Sequence, residues 1–252
     1  MRHPSPHPQP DRIEKRPVEL RRAIRRSSLV QGRANESPLG RRLLRKEGGC
    51  VIASVLTLNR AECQTLKVTD AYSVHRVVYS LFPAREGQTR DFLFADKGGD
   101  FHGRKILILS QKEPASPTLG RIESKEIPTA FLDGALYGFE VRMNPTKRDK
   151  PTGKTVAVRG KEALLSWFCE KAPTSFGFEV IRDSQGTPLI QVQGIGVQRF
   201  EKNGATVVHG EATFIGKLRV VDRGTFRKAF EEGMGRAKGF GFGLLQLVPL
   251  TD

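Results

Sequence analysis

The chain has 252 residues, and its 42 Lys and Arg outweigh 27 Asp and Glu, which gives a formal net charge of +15. No stretch approaches the roughly 18 consecutive apolar residues that span a bilayer, which excludes an integral membrane protein. The three cysteines include no Cys-x-x-Cys pair, which excludes a disulfide scaffold and an all-cysteine zinc site. We expect a soluble, cytoplasmic protein whose charge favours a polyanionic partner, most often nucleic acid, over a basic protein that is merely soluble.

The first 49 residues carry half of the excess charge on a fifth of the chain. They hold 13 Lys and Arg against 5 Asp and Glu, a net charge of +8, and contain no Phe, Tyr or Trp. Such a segment buries little apolar surface, so we expect residues 1–49 to be a disordered basic extension with a short helix near Val18–Leu29. Three interpretations stay open: an RNA-binding arm that folds on contact, a transit peptide, or an overlong gene start with the protein proper beginning near Val51.

From Val51 the pattern changes to short apolar segments that are typical of a packed domain. The sequence predicts a buried strand, VIASVLTL, followed by a helix, AYSVHRVVYSLF, which Thr69 or Asp70 caps and Pro83 terminates. The next strands are RDFLFAD and RKILILSQ. The segment Pro114–Pro128, rich in Pro, Ser and Thr, is predicted to be a loop.

The second half of the chain has a comparable order of elements. A strand, LYGFEVRM, ends in the loop Asn144–Gly153, and an amphipathic helix, EALLSWFCEK, follows. The remaining strands are FGFEVIRD, LIQVQGIGVQRF, TVVHGEATFIGKLRVV and GLLQLVPL, with a hairpin turn at Lys202-Asn203-Gly204 and a helix at Thr225–Met234. We therefore predict an α+β fold of two tandem ferredoxin-like (RRM-like) domains, at 50–135 and 136–252, although the aromatic RNP motif of an RRM is absent.

The first helix carries groups that could transfer protons. At about 100° per residue, its apolar face consists of Val74, Val77, Val78 and Leu81, and its opposite face of Tyr72, His75, Arg76 and Tyr79. An imidazole moves protons near neutral pH, a phenol orients a hydroxyl and a guanidinium holds a phosphate, which suits metal-free RNA cleavage by a 2′-OH. The helix alone nevertheless favours a structural alternative, in which Tyr72 and Tyr79 pack against the second unit and His75 is a surface histidine.

The run Gly233–Gly243 contains five glycines together with Arg236 and Lys238. It is not a P-loop, because the Gly-Lys-Ser/Thr ending is missing and the loop follows a helix. We expect either a loop that binds the RNA backbone or a tight turn that needs glycine sterically. The isolated His102 and His209 and the absence of His-rich spacing predict no metal and no cofactor.

Eight segments, in order along about Val51–Leu250, resemble CasE, the crRNA-processing endoribonuclease family of type I-E CRISPR systems. They are Asp70–Arg76, Leu81–Pro83, Arg90–Phe94, Arg142–Lys147, Gly153–Val156, Phe214–Leu218, Val221–Asp222 and Gly233–Pro249. Residues 1–49 lie outside the resemblance.

The resemblance implies metal-independent cleavage of CRISPR repeat RNA at the base of its stem-loop, with a 2′,3′-cyclic phosphate product. It also implies that the enzyme keeps the crRNA and joins the other Cascade subunits, meeting target DNA only through that complex. The family's catalytic pair, a Tyr and a His three residues later, matches Tyr72 and His75 and reverses the preference for the structural alternative. Whether His75 acts as base or acid stays open, and Tyr72 would orient the 2′-OH or stabilise developing charge.

The family's basic groove-binding hairpin matches Gln198–Gly204. The RNA-binding residues expected from the hairpin, from the loop after the strand LYGFEVRM, from the glycine-rich run and from the first helix are Arg76, Arg142, Lys147, Arg148, Lys154, Arg199, Lys202, Arg236 and Lys238. Two other functions stay open: a crRNA-binding structural subunit of Cascade that does not cleave, and a ribosome-associated RNA-binding protein.

Overall fold

The computed structural model describes residues 51–83, 90–202 and 204–251, so the predicted basic extension at 1–49 lies outside the described residues. The helices are α1 (Arg60–Thr65), α2 (Ala71–Ser80), α3 (Lys161–Phe176) and α4 (Arg223–Glu232). The strands are β1 (Val51–Leu58), β2 (Phe92–Asp100), β3 (Gly103–Ser110), β4 (Arg121–Ile127), β5 (Leu136–Met143), β6 (Thr146–Arg148), β7 (Thr155–Ala157), β8 (Phe178–Val180), β9 (Ile190–Lys202), β10 (Ala205–Val220) and β11 (Gln246–Pro249). Within the described ranges, no helix combines the length and apolar character needed to cross a membrane.

The first sheet is antiparallel and has the strand order β2-β3-β1-β4. Helix α2 covers one of its faces, because the apolar side of the helix buries against the alternate residues of three strands. This core contains Val74, Val78 and Leu81 from the helix region and Leu56, Leu58, Phe92, Phe94, Ile106 and Ile108 from the strands. Burial of each such side chain contributes roughly 1.5–3 kcal/mol, which fixes the polar side of α2 away from the sheet.

Helix α2 begins where the sequence predicts, and Asp70 is its N-cap. The Asp70 carboxylate accepts a hydrogen bond from the Ser73 backbone N–H at 2.7 Å, and the Ser73 hydroxyl accepts one from the Asp70 N–H at 2.9 Å. This reciprocal pairing satisfies two backbone donors that a helix start leaves free. It sets the first residue of the helix and so fixes which side chains share the polar face.

The second sheet repeats the topology of the first. Its order is β11-β5-β10-β8, so in both sheets the fourth, first, third and second strands of the unit lie side by side. This confirms the prediction of two ferredoxin-like units. Strand β9 is an addition that pairs with the long strand β10 and projects as a hairpin, with Lys202 opposite Ala205 across the predicted turn. The predicted limits of the two units, 50–135 and 136–252, stay predictions.

The two units share one continuous core. The face of the first sheet that α2 does not cover contributes Val51, Ala53, Leu93, Ala95 and Leu109 to the same apolar cluster as the second sheet. The run Gly233–Gly243 then passes around the edge strand β2: a Cβ at Gly233 would lie 2.7 Å from Leu93 Cδ2, and one at Gly241 3.1 Å from Phe94 Cε2, on the opposite face. The run thereby reaches the polar side of α2.

The structure corrects several details of the predicted elements. The loop prediction for Pro114–Pro128 is wrong over Arg121–Ile127, which forms β4, because this edge strand carries charged residues that hide its pattern. Helix α1 has only six residues and was not predicted. The predicted loop Asn144–Gly153 contains β6, which pairs with β7. Helix α3 is longer than predicted and ends at Gly177, whose φ is +73°.

Candidate functional site

The polar side of α2 contacts β9 and the short 3-10 turn Lys238–Phe240 of the glycine-rich run. The central contact is a hydrogen bond of 2.7 Å between His75 Nδ1 and the backbone carbonyl oxygen of Gly239. A carbonyl oxygen can only accept, so Nδ1 carries the proton of this bond. In the neutral ring, Nε2 is therefore left with its lone pair and can accept a proton from another group.

Three aromatic side chains surround the His75 imidazole. Its ring centroid lies 3.9 Å from that of Tyr79, 5.6 Å from that of Tyr72 and 5.2 Å from that of Phe240. Phe200 of β9 continues the layer, 6.0 Å from Tyr72 and nearly parallel to it, with an interplanar angle of 4°. The tyrosines and His75 are half-buried between the two units, so His75 is not the surface histidine of the structural alternative.

The surroundings of His75 favour its neutral form. Burial lowers the pKa of His75 below 6.5, and the positive charges of Lys202 and Arg90 lower it further. The hydrogen bond to Gly239 opposes part of this shift. The imidazole is consequently free to take up a proton near neutral pH, which is the state that a general base requires.

Arg90 belongs to this site, although the sequence pattern around it predicts no functional role. Its Nη1 lies 3.0 Å from the position that a Cβ at Gly239 would occupy, beside the Tyr79 hydroxyl at 3.4 Å from the same point. The Nε of Arg90 is buried and has no hydrogen-bond partner among the described residues. The only signal in the sequence was the position of Arg90 at the start of one of the segments that resemble the CasE family.

His209 lies next to the same cluster. Its ring centroid is 5.5 Å from that of Phe240 and 5.9 Å from that of Phe200, and Nδ1 lies 3.4 Å from Asn144 Nδ2. Burial lowers the pKa of His209, and its Nε2 is buried without a hydrogen-bond partner in the described part of the chain. This histidine is distant from His75 in sequence but lies beside the same cluster in the fold.

The structure divides the predicted RNA-binding residues into separate groups. On the β9–β10 hairpin, Lys202 faces the cluster, with Nζ 5.6 Å from the centre of the Phe240 ring. Arg199 lies on the opposite face, because side chains alternate along a strand. Lys238 is half-buried and donates to the Glu232 carbonyl at 2.7 Å, and Arg76 is exposed on α2.

The other predicted cations lie farther along the second unit. Arg142 is paired with Glu211 and lies over the Phe242 ring, 5.0 Å from its centre, so its charge is neutralised in this conformation. The remaining four lie along the β6–β7 hairpin and at the start of the glycine-rich run: Lys147, Arg148, Lys154 and Arg236. The structure thus places Lys202 at the His75 cluster and a second set of cations elsewhere.

Comparison with known proteins agrees with this fold. A family model described as "CRISPR associated protein" matches residues 53–249. The chain therefore belongs to the CRISPR-associated protein family, and within it to the CasE group of type I-E systems.

Two characterised relatives are similar in sequence. The chain is 27% identical over 194 residues to "CRISPR system Cascade subunit CasE" of Escherichia coli (strain K12), an alignment that covers 72% of this chain and 93% of the relative. It is 25% identical over 194 residues to "CRISPR-associated endoribonuclease Cse3" of Thermus thermophilus, covering 72% and 92%. A solved structure, "CRISPR endoribonuclease Cse3 bound to 19 nt RNA", shares the fold with a TM-score of 0.68 and 24% identity over 80% of this chain and 100% of that one.

Proposed function

We propose that this protein is an endoribonuclease that cuts CRISPR repeat RNA at the base of its stem-loop and then keeps the crRNA as a subunit of a Cascade complex. The observation that carries the proposal is the hydrogen bond between His75 Nδ1 and the Gly239 carbonyl. It leaves Nε2 of a half-buried imidazole as a proton acceptor in a family whose relatives are named as an endoribonuclease and as a Cascade subunit. Target DNA would be met only through the complex.

The reaction follows from the groups around His75. Nε2 takes the proton of the 2′-OH while that oxygen attacks the adjacent phosphorus, so a new P–O2′ bond forms as the P–O5′ bond breaks. The departing 5′-oxygen takes a proton from solvent, and the other product is a 2′,3′-cyclic phosphate. Tyr72, whose ring is nearly parallel to that of His75, orients the 2′-OH. Arg90 and Lys202 stabilise the negative charge that develops on the phosphate oxygens.

The test uses a repeat RNA hairpin from the CRISPR array of the same genome, incubated with the full chain in EDTA. We expect cleavage by the wild type and a loss of about 10²- to 10⁴-fold with His75→Ala, the range for a general acid or base. His102→Ala, which removes an exposed histidine in the β2–β3 turn, is the matched control and should cut normally. An RNA with a 2′-deoxy nucleotide at the cut should bind and stay intact.

Three results would contradict the proposal. These are no cleavage by the wild type in EDTA, equal cleavage by the His75→Ala variant, or cleavage of the 2′-deoxy substrate. Tight binding of the hairpin without any cleavage would instead identify a structural crRNA-binding subunit.

A further inference from the structure

A groove of about 880 Å³ lies on the second unit, apart from the His75 cluster. Its walls are helix α3 on one side, the β6–β7 hairpin on the other and the start of the glycine-rich run at one end. This volume falls within the roughly 300–1,000 Å³ of pockets that enclose small ligands. None of the steps proposed for RNA cleavage uses it.

The sequence of α3 explains why the groove is open. Ala163, Ser166 and Ser175 line it, and their small side chains leave space between the helix and the hairpin. Trp167, also on the lining, holds the two walls together, because its indole Nε1 donates a hydrogen bond of 3.1 Å to the Thr146 carbonyl of β6. The groove is thus a preformed feature with one large, half-buried aromatic side chain in its wall.

The lining of the groove is strongly basic. It contains one carboxylate, that of Glu170, and four cations: Lys147, Arg148, Lys171 and Arg236. Two of the cations are held by the groove itself: Arg148 Nε donates to the Gly153 carbonyl at 3.1 Å, and Arg236 Nη1 donates to Thr155 Oγ1 at 3.2 Å. Cations around an aromatic ring are the features with which proteins bind single-stranded nucleic acids, through phosphate contacts and base stacking.

We propose that this groove binds a short single-stranded segment of the RNA, one or two nucleotides that flank the repeat stem, with a base against Trp167 and phosphates on Lys147, Lys171 and Arg236. The inference rests on the proposed function, since it assigns a second part of the same RNA to the protein. Arg236 lies three residues before Gly239, whose carbonyl binds His75, so one loop contributes to both sites. The glycine-rich run therefore connects the site of the reacting phosphate to the groove.

Trp167 makes the proposal directly measurable, because it is the only tryptophan in the chain. The experiment titrates the full chain with three probes: the repeat hairpin without flanks, the same hairpin with its single-stranded flanks, and a uridine hexamer. We expect the flanked hairpin and the hexamer to change Trp167 fluorescence, and the bare hairpin to leave it unchanged. Since stacking of one base contributes roughly 1–3 kcal/mol, the flanks should tighten hairpin binding about 5- to 150-fold.

A charge reversal tests the site independently of the fluorescence signal. Lys171→Glu should abolish the gain in affinity from the flanks while leaving binding and cleavage of the bare hairpin unchanged. Lys161→Glu makes the same change at an exposed position of the same helix outside the groove lining and should behave as the wild type. Circular dichroism of both variants checks that α3 is intact.

The outcomes separate this inference from the proposed function. If the bare hairpin is bound and cut but the flanks add no affinity and no fluorescence change, the groove inference is wrong and the nuclease proposal stands. If single-stranded RNA changes the fluorescence in a Lys171-dependent way but no hairpin is cut, the groove inference stands and the nuclease proposal fails. A response to a glutamate decamer and not to RNA would overturn the inference in favour of an acidic peptide.

Discussion

The run Gly233–Gly243 contributes to two regions with opposite surroundings. Near Gly239 it closes on His75, where aromatic rings pack around the imidazole and burial lowers its pKa. Near Arg236 it lines the Trp167 groove, where exposed cations lie around the half-buried side chain of Trp167. Burial is suited to tuning one proton-transfer group, whereas exposed charge is suited to attracting a polyanion. Under the proposed function, this difference places the chemistry and much of the affinity for RNA in separate regions.

The sharpest way to test this separation is to remove a charge from the buried region. Arg90→Ala should lower kcat by about 10²- to 10³-fold with little change in KM, because a donor that stabilises transition-state charge in a half-buried site is lost. Arg90→Lys should recover only part of the activity, since lysine lacks the planar fork of arginine. Arg121→Ala, at an exposed position of β4, is the control and should be active.

Single-turnover kinetics on the repeat hairpin, together with thermal unfolding of each variant, measures this effect. A uniform loss of RNA binding with kcat intact would show that Arg90 acts as an ordinary phosphate contact. In that case the contrast between the two regions would not hold.

The complementary change removes charge from the exposed region. Replacing Lys147 and Lys154 together by Ala should weaken RNA binding several-fold and leave kcat unchanged. It should also reduce the slope of log K against log salt by about 0.7 for each phosphate that the variant no longer neutralises. A double replacement of Lys105 and Lys125, both exposed on the first sheet, removes the same charge and should leave the slope unchanged. Equal losses of affinity in both variants would mean that net charge, not the position of the lysines, determines binding.

A third test concerns the charge that faces His75. If His75 is the base, kcat/KM rises with pH through the pKa of His75, which lies below 6.5. Lys202→Gln removes a positive charge that lowers this pKa, so the pKa rises and the acidic limb of the profile moves to higher pH. Relative to the wild type, the variant should therefore lose several-fold more activity at acidic pH than at pH 8.

Arg199→Gln provides a matched control for this profile, because Arg199 lies on the opposite face of the same hairpin. Arg199→Gln should weaken RNA binding without shifting the acidic limb of the pH profile. A profile for Lys202→Gln that is lowered equally at every pH would indicate that Lys202 contacts RNA and has no influence on His75.

The sequence predicted the parts of this molecule that depend on local pattern. The cap at Asp70, the polar face of α2 and the hairpin between β9 and β10 all follow from short-range spacing, and the structure has them. The fold class followed from the order of apolar segments. The polar edge strand β4 escaped prediction because it buries too little to show alternation.

The assembly of the site could not be predicted by such spacing. His75 and Gly239 are 164 residues apart, and only the passage of the glycine-rich run around β2 brings them together. Local pattern also gives no indication that Glu211 neutralises Arg142. The groove lined by Trp167 depends on how α3 packs beside a hairpin that was predicted to be a loop.

The smallest expected effect concerns stability at low pH, and it extends the comparison to His209, at the border of the buried cluster. Burial lowers the pKa values of both His75 and His209 below 6.5, so the folded protein holds both rings neutral. Their contribution to stability is therefore complete above pH 6.5 and is lost as the pH falls through the folded-state values. His209→Phe keeps a ring beside Phe240 and removes a buried Nε2 that has no hydrogen-bond partner among the described residues.

We expect the variant to lose less stability than the wild type between pH 7 and pH 5, measured as the change in Tm. Some loss should remain, because His75 still takes up a proton. His102→Phe alters an exposed histidine and should show the full wild-type loss. If His209→Phe also showed the full loss, His209 would be as well solvated as a surface residue, and the buried cluster would end at Phe240.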